Sequence, residues 1–241
     1  MTPAESAAGD STTDHPTDRA APIRLLVADD QELVRAGLAL LLDMEPDLEV
    51  VVQLSDGADA ARAVAEHRID VAILDIEMPY DGIRATADIA ALNRRRSHGS
   101  SHGENAEDAT HADRPCGVLI VTTFGRTGYL QRAMVAGASG FMVKDTPAET
   151  LAQAVRTIHA GGRAVDPALA AEALAVGPNP LTAREAEILD AAGDGASVRD
   201  IAARLHLATG TVRNHLSSAI AKTGSANRME ANRTAQANGW L

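Results

Sequence analysis

Four apolar runs, each ending abruptly on a short polar or a cationic side chain, constrain this chain more than any other feature. Ile23-Arg24-Leu25-Leu26-Val27-Ala28 runs into Asp29-Asp30, and Val71-Ala72-Ile73-Leu74 runs into Asp75. Val118-Leu119-Ile120-Val121 runs into Thr122-Thr123, and Gly140-Phe141-Met142-Val143 into Lys144. Parallel strands covered on both faces are continuously hydrophobic rather than alternating, so each run predicts a buried strand. Leu48-Glu49-Val50-Val51-Val52-Gln53-Leu54 supplies a fifth.

Helix-period patterns lie between these runs, over 31–42, 58–67, 83–92, 129–136 and 148–160; in the first, Leu33, Val34, Leu38, Leu41 and Leu42 share one face. Alternation of strand and helix implies right-handed crossovers and a doubly wound α/β sheet of five parallel strands, in the flavodoxin-like order. Such sheets bind ligands in a crevice at the carboxyl ends of their strands. Asp29, Asp30, Asp75, Thr122 and Lys144 are therefore predicted to converge.

The 241 residues suggest two modest domains rather than one. The chain divides into a leader over 1–21, an α/β domain over 22–162, a linker over 163–180 and a C-terminal domain over 181–241. The leader is rich in Ser, Thr, Asp, Pro and Ala and has no apolar core, so it reads as disordered rather than as a signal peptide. Residues 97–114 contain nothing apolar larger than alanine and read as a solvated insertion in the α/β domain. His98, His102 and His111 within it match no standard metal-site spacing. Gly177-Pro178-Asn179-Pro180 marks the second boundary. Cys116 stands alone, which excludes an intrachain disulfide and suits a core filler in a reducing compartment. With no run approaching ~18 apolar residues, no membrane span is expected, and the location predicted is cytoplasmic.

The strand-end residues, with Met78-Pro79 and Asp81-Gly82 after Asp75, resemble the receiver domain of two-component response regulators. That resemblance implies that Asp75 is the phosphoacceptor and that Asp29, Asp30, Asp75 and the carbonyl of Glu77 hold Mg²⁺. It makes Thr122 the switch hydroxyl, Phe141 the switch aromatic and Lys144 the lysine that faces the phosphoryl oxygens. The chemistry is consistent: a carboxylate attacks a phosphoryl group once the repulsion between two anions is neutralised. Two departures stand out. Only Tyr80 separates Pro79 from Asp81, where receivers commonly have two residues, and the insertion precedes the switch strand.

Leu181-Thr182-Ala183-Arg184-Glu185 and Gly210-Thr211-Val212-Arg213-Asn214-His215-Leu216 resemble the LuxR-type helix-turn-helix, and the two resemblances together point to a NarL/FixJ-class regulator of the desaturase-regulator type. Thr182/Glu185 and Ser197/Asp200 have capping-box spacing at two of four expected helices. From Thr211 to Lys222, Val212, Leu216, Ala219 and Ile220 form an apolar stripe, leaving Arg213, Asn214 and Ser217 for base edges. Arg199, Lys222, Thr209 and Thr211 suit phosphate contacts. Ala208, Thr223, Asn232 and Thr234 depart from the usual pattern and predict a weaker last helix.

The acidic balance of the whole chain, 22 basic against 33 acidic residues, argues against a nucleic-acid binder, but residues 178–241 carry seven basic and six acidic. A domain so close to neutral needs dimerisation on two half-sites for useful affinity. The partners implied are a sensor histidine kinase, double-stranded DNA, a second phosphorylated copy and, further downstream, RNA polymerase. The chain is not expected to be an enzyme: an aspartyl-phosphate phosphatase wants Asp-x-Asp, which Asp75-Ile76-Glu77 lacks. A constitutive DNA binder with a vestigial receiver is opposed by the intact Asp29-Asp30, Asp75 and Lys144.

Overall fold

The structure is a computed structural model and describes residues 21–99 and 114–241. Its order is β1 (Ile23–Ala28), α1 (Glu32–Asp43), β2 (Leu48–Leu54), α2 (Ala60–His67), β3 (Val71–Leu74) and α3 (Gly82–Gly99). There follow β4 (Gly117–Thr122), α4 (Thr127–Ala136), β5 (Gly140–Val143), α5 (Ala148–His159), β6 (Ala164–Val165) and α6 (Pro167–Val176). The C-terminal domain is α7 (Ala183–Ala191), α8 (Val198–Arg204), α9 (Thr209–Lys222) and α10 (Arg228–Ala237).

All strand pairs are parallel, in the order β2-β1-β3-β4-β5-β6. Side chains alternate between the two faces of the sheet, and each set builds its own core. Leu26, Ala28, Ala72, Leu74, Ile120 and Phe141 meet the helices on one face. Leu25, Val27, Val71, Ile73, Leu119 and Val121 meet Leu42, Leu151, Val155 and Ile158 of α1 and α5 on the other. Double coverage explains the unbroken apolar runs. The order reverses at β1, so the crevice beyond β1 and β3 is the topological switch point.

Three sequence expectations are corrected. The sheet has six strands rather than five, and residues 163–180 hold β6 and α6 rather than a plain linker. A two-residue strand carries no readable periodicity, and α6 is alanine-rich and apolar on every side but for Glu172, so no stripe announced it. Helix α3 runs on past Leu92 to Gly99, so residues 97–99 are helical rather than part of a loop. Asn93 fastens that extension to the start of β4, its Nδ2 donating to the Cys116 carbonyl at 2.9 Å while its Oδ1 accepts the Cys116 amide at 3.1 Å. Residues 100–113, which hold most of the predicted insertion, and the leader over 1–20 lie outside the described residues. On α1, Leu42 is fully buried while Leu33 is 87% and Leu41 47% exposed, so its apolar face exceeds what the core takes up.

The C-terminal domain packs a separate core around Ile188, Leu189, Ile201, Val212, Ala219 and Ala231. Both predicted capping boxes form, Thr182 with Glu185 and Ser197 with Asp200. Ala208 supplies no side-chain cap to α9, but Asn232 and Thr223 find partners. Asn232 is buried and donates to the Leu189 carbonyl at 2.8 Å, in space that a Cβ on Gly193 would crowd at 2.9 Å. The Thr223 hydroxyl donates to the Ala219 carbonyl at 2.9 Å.

Candidate functional site

The crevice at the switch point gathers the strand-end residues. Asp29 and Asp75 are buried at 2% and 3% exposure, whereas Asp30 faces solvent. Neighbouring strands set their positions: the Asp75 amide donates to the Ala28 carbonyl at 2.9 Å, and the Asp29 amide to the Leu54 carbonyl at 3.1 Å. Asp29 Oδ1 accepts the Gln31 amide at 2.9 Å, and its carbonyl accepts Arg35 Nη1 at 2.6 Å. Carboxylate oxygens of Asp29, Asp30 and Asp75 lie within 4.8 Å of one another, a spacing that can hold a metal ion.

Lys144 enters from the end of β5, its Nζ 2.7 Å from Asp29 Oδ2 and 3.0 Å from Asp75 Oδ2. The two oxygens of Asp75 are not equivalent. Oδ1 accepts the Ile76 amide at 2.8 Å, while the buried Oδ2 faces only the Lys144 ammonium among the described residues. Burial raises the Asp75 pKa, the Lys144 ammonium opposes that rise, and the Asp29 charge adds to it; the net shift is upward. Burial alone would depress Lys144, but Asp29 and Asp75 outweigh it and raise its pKa.

The Asp81-Gly82 pair has a structural reason. A Cβ on Gly82 would lie 2.0 Å from the Asp75 carbonyl oxygen, so only glycine lets α3 begin this close to the acceptor loop. Asp81 Oδ1 accepts the amides of Ile83 and Arg84 at 2.8 and 2.9 Å, capping α3. Glu77 is exposed at the rim. Thr122 is fully buried at the end of β4, where its Oγ1 accepts the Phe124 amide at 3.4 Å. Phe141 is fully buried in the core that includes Ile120.

In the C-terminal domain, α9 divides as predicted. Val212, Leu216 and Ala219 are buried, and Arg213, Asn214 and Ser217 are exposed together on the opposite side. Arg199 and Thr209 are also exposed, with Thr211 half-buried. Lys222 has a structural task that the sequence reading missed. Its Nζ lies 2.6 Å from Glu185 Oε2, and the Ser218 hydroxyl donates to Glu185 Oε1 at 2.6 Å. Burial would raise the Glu185 pKa, yet Lys222, Ser218 and the Thr182 amide hold it down to about 2. The available signal was the i,i+4 spacing of Ser218 and Lys222, which turns both toward one partner.

The chain matches the response regulator receiver domain family over residues 25–101 and the luxR family of bacterial regulatory proteins over residues 179–235. The transcriptional regulatory protein DesR of Bacillus subtilis (strain 168) is 38% identical over 91% of this chain and 99% of its own length. The response regulator RamR of Streptomyces coelicolor is 35% identical over 90% of this chain and 98% of its own. The crystal structure of response regulator ChrA of a heme-sensing two-component system is similar with a TM-score of 0.50 and 33% identity, covering 92% of this chain and 100% of that one. With its acidic crevice, its half-buried lysine and its helical DNA-binding module accounted for together, the chain belongs to the LuxR-type (NarL/FixJ) two-component response regulators.

Proposed function

We propose that Asp75 is the phosphoacceptor and that its phosphorylation by a partner histidine kinase, in the cytoplasm, promotes dimeric, sequence-specific DNA binding. The observation that carries this is Asp75 Oδ2, a buried carboxylate oxygen that faces the Lys144 ammonium at 3.0 Å and, unlike Oδ1, accepts no backbone amide among the described residues. A kinase phosphohistidine would lose its P–N bond as the Oδ2–P bond forms, and Oδ1 stays held by the Ile76 amide. Lys144 offers the incoming oxygens a compact cation.

The residues fit a hard cation: Asp29, Asp30 and Asp75 offer clustered oxygens, and Mg²⁺ takes one or two carboxylates with waters and phosphate oxygens. When bound there by Asp30, Asp75 and the Glu77 carbonyl, with Asp29 direct or through water, Mg²⁺ supplies the charge that lets two anions approach. Thr122 would turn from the Phe124 amide to the phosphoryl group, and Phe141 would repack beside it. Leu33, Leu40 and Leu41 of α1 and Met44 at its C-cap expose apolar side chains, which supports self-association.

For DNA, the exposed cluster on α9 supports base reading by Arg213, Asn214 and Ser217, with Arg199, Thr209, Thr211 and Lys222 toward phosphates. The test is incubation with a small phosphodonor and Mg²⁺, read by intact mass. One phosphoryl group is expected on the native chain and none on Asp75→Asn or after chelation. Equal labelling of Asp75→Asn, or labelling indifferent to chelation, sinks the assignment.

A further inference from the structure

Tyr80 alone separates Pro79 from Asp81, so the loop from Asp75 to α3 has little slack. Its first half is held from inside. The Met78 and Gly82 amides both donate to the Ile76 carbonyl, at 3.0 and 3.4 Å. Ile76 and Met78 are buried, and Glu77 between them is exposed at the rim of the acidic crevice.

Tyr80 holds the second half from three directions. Its carbonyl accepts the Gly57 amide at 3.2 Å, which ties the loop to the connection between β2 and α2. That approach needs glycine, because a Cβ on Gly57 would lie 2.7 Å from the Tyr80 carbonyl oxygen. The Arg84 guanidinium lies over the Tyr80 ring, 4.5 Å from its centroid. The Tyr80 hydroxyl donates to Asp88 Oδ2 at 2.7 Å. Arg84 and Asp88 are four residues apart on one face of α3, so a single side chain staples the loop to that helix. The half-buried ring also packs against the core that contains Ile76, Met78 and Ile83.

Arg84 and Asp88 are exposed, and contacts of this solvated kind add little to global stability. Their consequence is local, since they restrict how far the loop can move. Mg²⁺ is sensitive to such movement: it demands near-octahedral oxygens at about 2.0–2.1 Å. A carbonyl that must first be ordered lowers affinity, whereas one already held in place does not. A phenol is a poor ligand for so hard a cation, so the part left to Tyr80 is to place other groups.

We propose that Tyr80 is a positioning residue for the metal, clamping the shortened loop so that the Glu77 carbonyl stays ready to join Asp30 and Asp75, and thereby setting the Mg²⁺ affinity of the site. This rests on the Mg²⁺ reading of the crevice.

The test titrates Mg²⁺ into the full chain without phosphodonor and follows the amide resonances of Asp30, Asp75 and Glu77. Tyr80→Phe and Asp88→Ala remove one hydrogen bond from its two sides and keep the ring beneath Arg84. Each should weaken Mg²⁺ binding by about threefold, and the double variant should lose no more than either single one. Tyr80→Ala loses the ring as well and should weaken binding by about tenfold, the lower end of what losing a metal site's outer support costs. With phosphodonor, the Mg²⁺ needed for half-maximal labelling of Asp75 should rise by the same factors, while the rate at saturating Mg²⁺ stays within about twofold of native. A Tyr80→Ala chain that melts like the native one and binds Mg²⁺ as tightly overturns the proposal, and so does additive loss in the double variant. If Tyr80→Ala fails to fold, unchanged affinity in both Tyr80→Phe and Asp88→Ala overturns it. Native resonances that ignore Mg²⁺ overturn the metal reading and this proposal together. Labelling of Asp75→Asn indicts the phosphoacceptor alone, because the titration without phosphodonor still decides Tyr80.

Discussion

Replacing Glu185 by glutamine tests whether an ion-pair network holds the DNA-binding domain together. The carboxylate accepts from the Thr182 amide at 2.7 Å, the Ser218 hydroxyl at 2.6 Å and Lys222 Nζ at 2.6 Å, and it is only 5% exposed. A glutamine amide has the same shape but offers one acceptor and one donor group, so a donor must face a donor. Hydrogen bonds to a buried charge contribute about 1.5–3 kcal/mol each but are not additive. Lys222 is 36% exposed, which weakens its share through solvent screening. A net loss of about 2 kcal/mol follows.

The pKa shift gives the same scale and a pH window. Glu185 is held at about 2 against an ordinary 4.5, so its contribution is fully present above the unfolded value and is lost as pH falls from about 4.5 toward 2. At about 1.4 kcal/mol per unit, the shift caps the effect at about 3 kcal/mol before screening. Trp240 is the sole tryptophan and packs against the C-terminal core, so its fluorescence follows this domain within the full chain. For a domain this small, with a urea dependence of about 1 kcal/mol per molar, Glu185→Gln should lower the midpoint by about 2 M at pH 7. The gap between the two proteins should shrink as pH approaches 2. An unchanged midpoint, or two parallel declines between pH 4.5 and 2, would refute the network.

Lys144→Met leaves Asp29 and Asp75 as two facing buried anions, so thermal unfolding without divalent ions should show a loss of about 3 kcal/mol. Mg²⁺ should restore more stability to the variant than to the native chain, and equal restoration would contradict the charge argument. Arg213→Ala should cost about 1–3 kcal/mol on the cognate site and relax preference at one base pair. Arg199→Ala should weaken all sequences alike and flatten the salt dependence by about one unit; equal losses on cognate and random DNA for Arg213→Ala would end its base-reading role. Cys116, whose thiol burial pushes up to about 12, should resist alkylation at pH 8 until the chain unfolds.

What the sequence disclosed and what it concealed divide along a physical line. Asp29, Asp75, Thr122 and Lys144 were readable because chain order and strand polarity alone deliver strand ends to one crevice. The boxes at Thr182 and Ser197 were readable because a cap is a local bond, closed within four residues. Helix α6 was within reach on the same terms: Asp166 caps it, Pro167 starts it and Gly177 ends it, although the uniform alanine-rich apolar surface hid the signal. The surplus leucines of α1 misled in the opposite direction, because periodicity reports an apolar face without saying what will cover it.

The contacts that stayed hidden join distant residues whose types carry little chemical information. Lys222 meets Glu185 across 37 positions and Arg132 meets the Leu241 carbonyl across 109; the spacing of Ser218 and Lys222 puts them on one face, but no local pattern names the distant partner. Gly128 is the sharpest case. In sequence it is a glycine in a helical stretch, a residue that ordinarily weakens a helix by about 1 kcal/mol relative to alanine. The structure turns that weakness into information, because a Cβ there would strike the backbone of the other domain at 2.1 Å. A helix-weakening residue where two backbones meet is a local inconsistency that only the tertiary contact explains. Thr127 Oγ1 and Trp240 Nε1 are likewise buried without hydrogen-bond partners among the described residues, which no local pattern foretells. Alanine would strengthen α4 taken alone but would push the Asn238 carbonyl away, so at Gly128 the contact between the two domains overrides local helix propensity.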